Sequence, residues 1–168
     1  MLGFFRPQSY AVRITEIDPA ALRARGIEGA IVDLDNTLVG WREVAPLAED
    51  ALWVSRAKEA GVRVAVLTNN ATPWAAQIAQ DLGVPCIPRA RKPLPFGFRR
   101  ALHVLELPAD RAVVIGDQLF TDVLGAKLAG LEVILVDPLI RHDPWSTRPL
   151  RVLERIVLRG VPRGVPPK

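Results

Sequence analysis

Apolar residues in this chain keep two rhythms. Short continuous runs, partly β-branched, occur at 30–32, 62–67, 84–87, 112–115 and 131–136. Each is too short for a helical period and reads as a buried strand. Between them lie longer stretches with apolar residues three and four apart, which predict helices. Pro46 opens one that runs to about 60, with Leu47, Ala51, Val54 and Ala57 on one face and Gly61 ending it. Others are expected over 73–82, stopped by Gly83, over 95–105, and over 121–129. Ahead of the first run, 10–14 alternates like an edge strand, and 19–25 predicts a short helix between Asp18-Pro19 and Gly26. The segment 39–44 resembles a small turn or hairpin. Strand and helix alternating in this way imply an α/β fold, a Rossmann-like three-layer sandwich on a five-stranded, mostly parallel sheet. The whole of 1–168 fits one domain, with a core over about 27–137 and a basic helix and tail over 141–168.

In a parallel sheet the ligand site lies beyond the carboxyl ends of the strands. Polar clusters stand at those ends: DLDNT after the first run, TNN after the second, RARK after the third and GDQLFTD after the fourth. Asp33 and Asp35 leave the same face of their strand. Two carboxylates so placed repel each other and lose hydration, and a hard cation such as Mg²⁺ relieves both effects. Taken alone, the pair is equally well explained as a turn cap. Four polar clusters on one edge are not.

The chemistry of the set is coherent. Asp33, Asp35, Asp117 and Asp122 offer a cation site. Thr68, the backbone N–H groups around Asn69, and Lys92 offer hydrogen bonds and positive charge to an anion. A cation beside an anion cradle is the layout of phosphoryl transfer. No glycine-rich Walker loop is present, so a carboxylate nucleophile fits better than ATP binding.

The motifs DLDNT, TNN, RKP and GDQLFTD, in that order and at strand ends over 30–126, resemble the four motifs of the haloacid dehalogenase (HAD) superfamily of phosphohydrolases. Within it, the lead-in over 10–29 and the basic tail resemble the YqeG-type subclass IIIA group, related to phosphatidylglycerophosphate phosphatases. The resemblance implies a Mg²⁺-dependent hydrolysis of a phosphomonoester through an aspartyl-phosphate. Asp33 would be the nucleophile and Asp35 the general acid, then base. Mg²⁺ would be held by Asp33, the backbone carbonyl of Asp35, and Asp117, with Asp122 a ligand or just behind one. Thr68 and Asn69 would hold phosphoryl oxygens, and Lys92 would offset charge between nucleophile and phosphate. Phosphatidylglycerophosphate is the substrate it favours. The alternatives are a phosphatase for phosphoprotein, nucleic-acid ends or a small phosphometabolite, and a non-catalytic module that binds phosphate or nucleic acid.

Asp35 and Thr68 are 33 positions apart, and Thr68 and Lys92 are 24. The helix and strand that the sheet needs fill each interval, which leaves no room for an inserted cap domain. A capless core has an open site, suited to a large substrate. Trp41 and Arg42 either overhang that site or form an exposed turn. Arg89 and Arg91 are candidates for a second anion contact, whereas a solvated helix face accounts for Arg99 and Arg100. His103 and His142 have no partners at metal spacing.

Composition changes this picture little. Hydrophobic residues make up 49% and charged residues 24%, as in an ordinary globular chain. No apolar run reaches the length of a membrane span, and the first ten residues are too short an apolar stretch for a signal peptide. The expected residence is therefore cytoplasmic, with peripheral attachment at the inner face of a membrane as its extension. Cys86 is the only cysteine, which excludes an internal disulfide and predicts a small buried hydrophobe. Seven Lys or Arg against two acids over 141–168 account for the whole net charge of +4. Over 145–158, apolar residues interleave with Arg148, Arg151, Arg155 and Arg159. That pattern fits a helix lying on an anionic phospholipid surface, or one packed on the core with its arginines in water. No motif marks a nucleic-acid partner.

Overall fold

The structure, a computed structural model, describes residues 5–40, 43–140 and 157–165. The strands are β1 (Ser9–Ala11), β2 (Gly29–Asp33), β3 (Arg63–Leu67), β4 (Cys86–Ile87), β5 (Ala112–Gly116) and β6 (Glu132–Val136). The helices are α1 (Pro19–Ala24), α2 (Ala48–Glu59), α3 (Pro73–Asp81), α4 (Pro95–Leu105) and α5 (Leu124–Leu128). The sheet runs β1-β6-β5-β2-β3-β4, and every pairing is parallel. It has six strands rather than the expected five. The sixth is β1, the edge strand read over 10–14 but not counted in the sheet. It lies beside β6 and spans only Ser9–Ala11, because the chain turns into a 3₁₀ turn at Ile14–Glu16.

Alternation along the strands builds the three layers. Ala30, Val32, Val64, Val66, Val113 and Ile115 face a core completed by α1, α2 and α3. Ile31, Ala65, Leu67, Val114 and Val133 face the other core, filled by Phe98, Ala101 and Leu105 of α4 and Ala126 of α5. Asp33 has the parity of Ile31, so β2 aims it toward the α4 and α5 side. β2 lies between β3 and β5, where the chain reverses its direction across the sheet, which is where such folds bind ligands.

Several local expectations shift. α2 begins at Ala48, and its buried face is Asp50, Trp53, Val54 and Ala57, while Leu47 is exposed. A buried carboxylate there is tolerated because both its oxygens accept from Arg13 Nη2, at 2.9 and 2.7 Å. The indole of Trp53 donates to the carbonyl of Ile17 at 2.7 Å. β4 is shorter than 84–87. Leu119–Val123 forms a wide π turn ahead of α5, where one continuous helix over 121–129 was expected. In place of a hairpin after Thr37 there is a single bridge between Asp35 and Val39, and Trp41 and Arg42 lie outside the described residues. So does nearly all of the expected helix over 145–158. Of that stretch, Val157 is helical and buried.

Two further contacts tie chain segments together. Asn36, with φ 68°, exchanges both of its side-chain amide atoms with the backbone of Ile140, each at 2.9 Å. Beyond β1, Tyr10 N–H donates to Pro162 O at 2.9 Å and Gly164 N–H to Tyr10 O at 2.8 Å, so 162–164 lies along the outer edge.

Candidate active site

β2 carries Asp33 to the carboxyl edge of the sheet, and the segment after β5 brings Asp117 and Asp122 to the same point. Carboxylate oxygens of the three lie within 4.8 Å of one another. All three residues are buried, at 4%, 8% and 1% exposure. Lys92 reaches in from the loop after β4. Its Nζ donates to Asp33 Oδ1 and, at 2.7 Å, to Asp122 Oδ1. Asp122 Oδ2 accepts from the N–H of Gln118 at 3.1 Å, a bond that the wide turn makes possible. Thr37 Oγ1 donates to Asp33 Oδ2 at 3.3 Å. Asp117 Oδ1 is buried, with no hydrogen-bond partner among the described residues.

Three carboxylates against one ammonium leave the cluster short of positive charge, and the carboxyl groups show it. Burial pushes Asp33 up to about 7, with Asp122 adding to the effect and Lys92 opposing it. Burial likewise pushes Asp117 up to about 8, reinforced by Asp33 and Asp122. Burial works against the ammonium of Lys92, but Asp122 and Asp33 outweigh it and hold the lysine above its ordinary value. A buried all-oxygen donor set with excess negative charge and one unbonded oxygen suits a hard divalent cation.

Asp35 stands apart from this trio. Its Oδ2 accepts from Thr68 Oγ1 at 2.6 Å and its Oδ1 from Asn70 Nδ2 at 3.4 Å. Its side chain is therefore no member of the acid cluster, which corrects the expected four-carboxylate cation site to three, because Asp35 stands beyond the end of β2 and is taken up by Thr68 and Asn70. Thr68 is fully buried, and its hydroxyl also accepts from the N–H of Asn70 at 2.9 Å. Asn69, expected on a phosphoryl oxygen, instead bonds the backbone of Lys92 through its side chain. Asp33, Asp35, Asn69, Asn70, Lys92, Gln118 and Thr121 line one cavity of about 300 Å³. Asn70, Gln118 and Thr121 lie within the motifs TNN and GDQLFTD but carry no charge to single them out in the sequence. Gly116 is required by packing, since Asp122 occupies the space where its Cβ would be.

Among the described residues, only α2, β3 and α3 lie between β2 and β4, so neither interval carries a cap there. Arg89, Arg91, Arg99 and Arg100 are exposed, as is His103, which makes no metal cluster with its neighbours. Cys86 is half-buried on the edge strand rather than enclosed, and that burial raises its thiol pKa.

Residues 12–130 match the family model of the haloacid dehalogenase-like hydrolases. The chain belongs to that family. This hydrolase is 39% identical over 160 residues to the probable phosphatase YqeG of Bacillus subtilis (strain 168), covering 95% of this chain and 93% of the relative. It is 28% identical to a chloroplastic phosphatidylglycerophosphate phosphatase 1 of Chlamydomonas reinhardtii, over 96% of this chain but only 64% of that protein. The cobalt-bound deoxy-D-mannose-octulosonate 8-phosphate phosphatase of Haemophilus influenzae shares the fold, with a TM-score of 0.57 at 17% identity over 82% of this chain and 90% of that one. The resemblance read from the four motifs is borne out, and so is the enzyme class, a phosphoric monoester hydrolase.

Proposed function

We propose that this haloacid dehalogenase-like hydrolase is a Mg²⁺-dependent phosphatase working through an aspartyl-phosphate on Asp33, with phosphatidylglycerophosphate as its favoured substrate. The buried Asp33–Asp117–Asp122 cluster with its unbonded Asp117 oxygen carries the reading. Asp33, Asp117 and the backbone carbonyl of Asp35 would hold Mg²⁺, which supplies positive charge to the phosphoryl oxygens and keeps Asp33 ionised. A carboxylate oxygen of Asp33 attacks phosphorus as the ester P–O bond breaks, and Asp35 gives its proton to the departing oxygen. Asp35 then takes a proton from water, whose oxygen attacks phosphorus and frees both Asp33 and inorganic phosphate. Thr68 and backbone N–H groups after β3 orient the phosphoryl group, and Lys92 offsets the charge that gathers beside Asp33.

The lipid substrate rests on less. Supporting it are the relatives named as phosphatidylglycerophosphate phosphatases and the character of the loops around the cavity. Leu94, Phe96 and Phe120 are exposed at 46%, 63% and 43% on the segments after β4 and β5, beside exposed Arg89 and Arg91. Apolar and cationic side chains together suit an anionic lipid surface. Among the described residues, no helix is long and apolar enough to cross a membrane. The test compares phosphatidylglycerophosphate in vesicles, a phosphopeptide, a 5′-phosphorylated oligonucleotide and p-nitrophenyl phosphate, each with Mg²⁺ and with chelator. The lipid should exceed the others by about 100-fold in kcat/KM, a margin that contacts beyond the phosphate readily supply. Equal turnover of all four overturns the lipid assignment, and full activity in chelator overturns the metal.

A further inference from the structure

Asn69 lies just past β3, at the lip of the catalytic cavity, and its side chain is already engaged. Its Oδ1 accepts from Lys92 N–H at 2.7 Å, and its Nδ2 donates to Lys92 O at 3.3 Å. One amide thus meets both backbone groups of one residue, as a neighbouring strand would. The flanking residues add rungs to the same ladder. Ala90 N–H donates to Thr68 O at 3.0 Å, and Arg89 N–H to Asn70 O at 3.2 Å.

The loop held in this way needs holding. Arg89 and Arg91 have φ of 52° and 54°, the left-handed region, which costs a side-chain-bearing residue about 1 kcal/mol or more. β4 ends at Ile87, so regular sheet pairing stops five residues before Lys92. The far end of Lys92 reaches the buried Asp33 and Asp122, and its ammonium is bonded to both at once, so a shift of its backbone pulls on two contacts.

We propose that Asn69 is a positioning residue, which clasps the Lys92 backbone so that Nζ sits between Asp33 and Asp122. The proposal rests on the reading of Lys92 as the charge-offsetting group of the reaction. Asn69 then affects turnover only through Lys92, whereas a residue that grips the phosphoryl group acts whether or not the lysine is present.

A double-mutant cycle separates the two cases. Turnover of p-nitrophenyl phosphate with Mg²⁺ is measured for the wild type, Asn69→Ala, Lys92→Ala and the double variant. Asn69→Ala should lower kcat about 30-fold, as a displacement somewhat below 1 Å at a reacting centre does, with KM within about threefold. In the Lys92→Ala background the same change should cost less than about twofold. Equal losses in both backgrounds overturn the clasp, and Lys92→Ala turnover at the wild-type rate removes the lysine's role and the proposal with it. Amide hydrogen exchange reads the clasp without any activity. In Asn69→Ala the Lys92 N–H should exchange at least about tenfold faster while the amides of β3 and β5 are unchanged. Unchanged protection at Lys92 overturns the proposal, whatever the kinetics.

Discussion

Replacing Gly116 by Ala tests the cluster without removing any functional group. A Cβ at that position would stand 2.4 Å from Asp122 Cγ, 2.6 Å from its Oδ2 and 2.7 Å from its Cβ. Ordinary contact begins near 3.4 Å, so the carboxyl group has to move by about 1 Å. It cannot do so freely. Asp122 is short and 1% exposed, and it is tethered to Lys92 Nζ at 2.7 Å and to the Gln118 N–H at 3.1 Å. Overpacking of this kind costs about 1–3 kcal/mol, which for a chain of this size lowers the melting temperature by about 6 °C. A displacement of about 1 Å at a reacting centre costs about 100-fold in turnover. Because domains hold about 5–15 kcal/mol in reserve, nearly all of the variant stays folded at 25 °C, and unfolding cannot produce that loss. Thermal melting and steady-state hydrolysis of p-nitrophenyl phosphate measure the two effects on the same sample. A variant within threefold of wild-type kcat would refute the argument that Asp122 must stay where the glycine lets it sit.

Two other outcomes follow from the same site. Asp33→Asn keeps the shape and removes the charge, so turnover should vanish while a melting curve shows a folded protein, and near wild-type activity would remove Asp33 as nucleophile. In chelator, Asp33 and Asp117 titrate in the folded protein near 7 and 8, against 3.8 in the ordinary case. The folded state therefore keeps protons that the unfolded chain has released, and stability falls as pH rises through that window. The chelated protein should melt lower at pH 8 than at pH 5.5, with Mg²⁺ restoring more at pH 8. A melting temperature that climbs with pH in chelator contradicts the raised carboxyl groups.

What was legible in the sequence was whatever depends on near neighbours. The runs ending in DLDNT, TNN and GDQLFTD marked strands and their carboxyl ends, because a buried parallel strand is continuously apolar and its ligand edge is polar. Asp33, Asp35, Thr68 and Asp117 were named from those clusters, and Lys92 from RARK after the third run. The misses involve partners far along the chain. The face expected for α2 left out Asp50, whose burial depends on Arg13, 37 positions earlier. The bond between the Asn69 amide and the backbone of Lys92, 23 positions later, is likewise invisible in the sequence. The wide turn at Leu119–Val123 carries no signature in the sequence, and across it Asp122 accepts from the Gln118 N–H. β1 was read over 10–14, but three residues of alternation are too few to place a strand's ends.

The two ends of the sheet bear on how the protein behaves at high concentration. An open parallel sheet ends in rows of backbone donors and acceptors, each a template on which another molecule can assemble. On one side the exposure is limited by brevity, since β4 is only Cys86–Ile87. On the other, 162–164 takes up the N–H and C=O of Tyr10, and Arg163 pairs with Glu16 at 3.3 Å to hold it there. Those late residues belong to a stretch notable in the sequence only for its positive charge. In the folded molecule they occupy that edge, and a chain trimmed ahead of Pro162 is expected to leave the N–H and C=O of Tyr10 open to a second copy, which sedimentation at rising concentration would read.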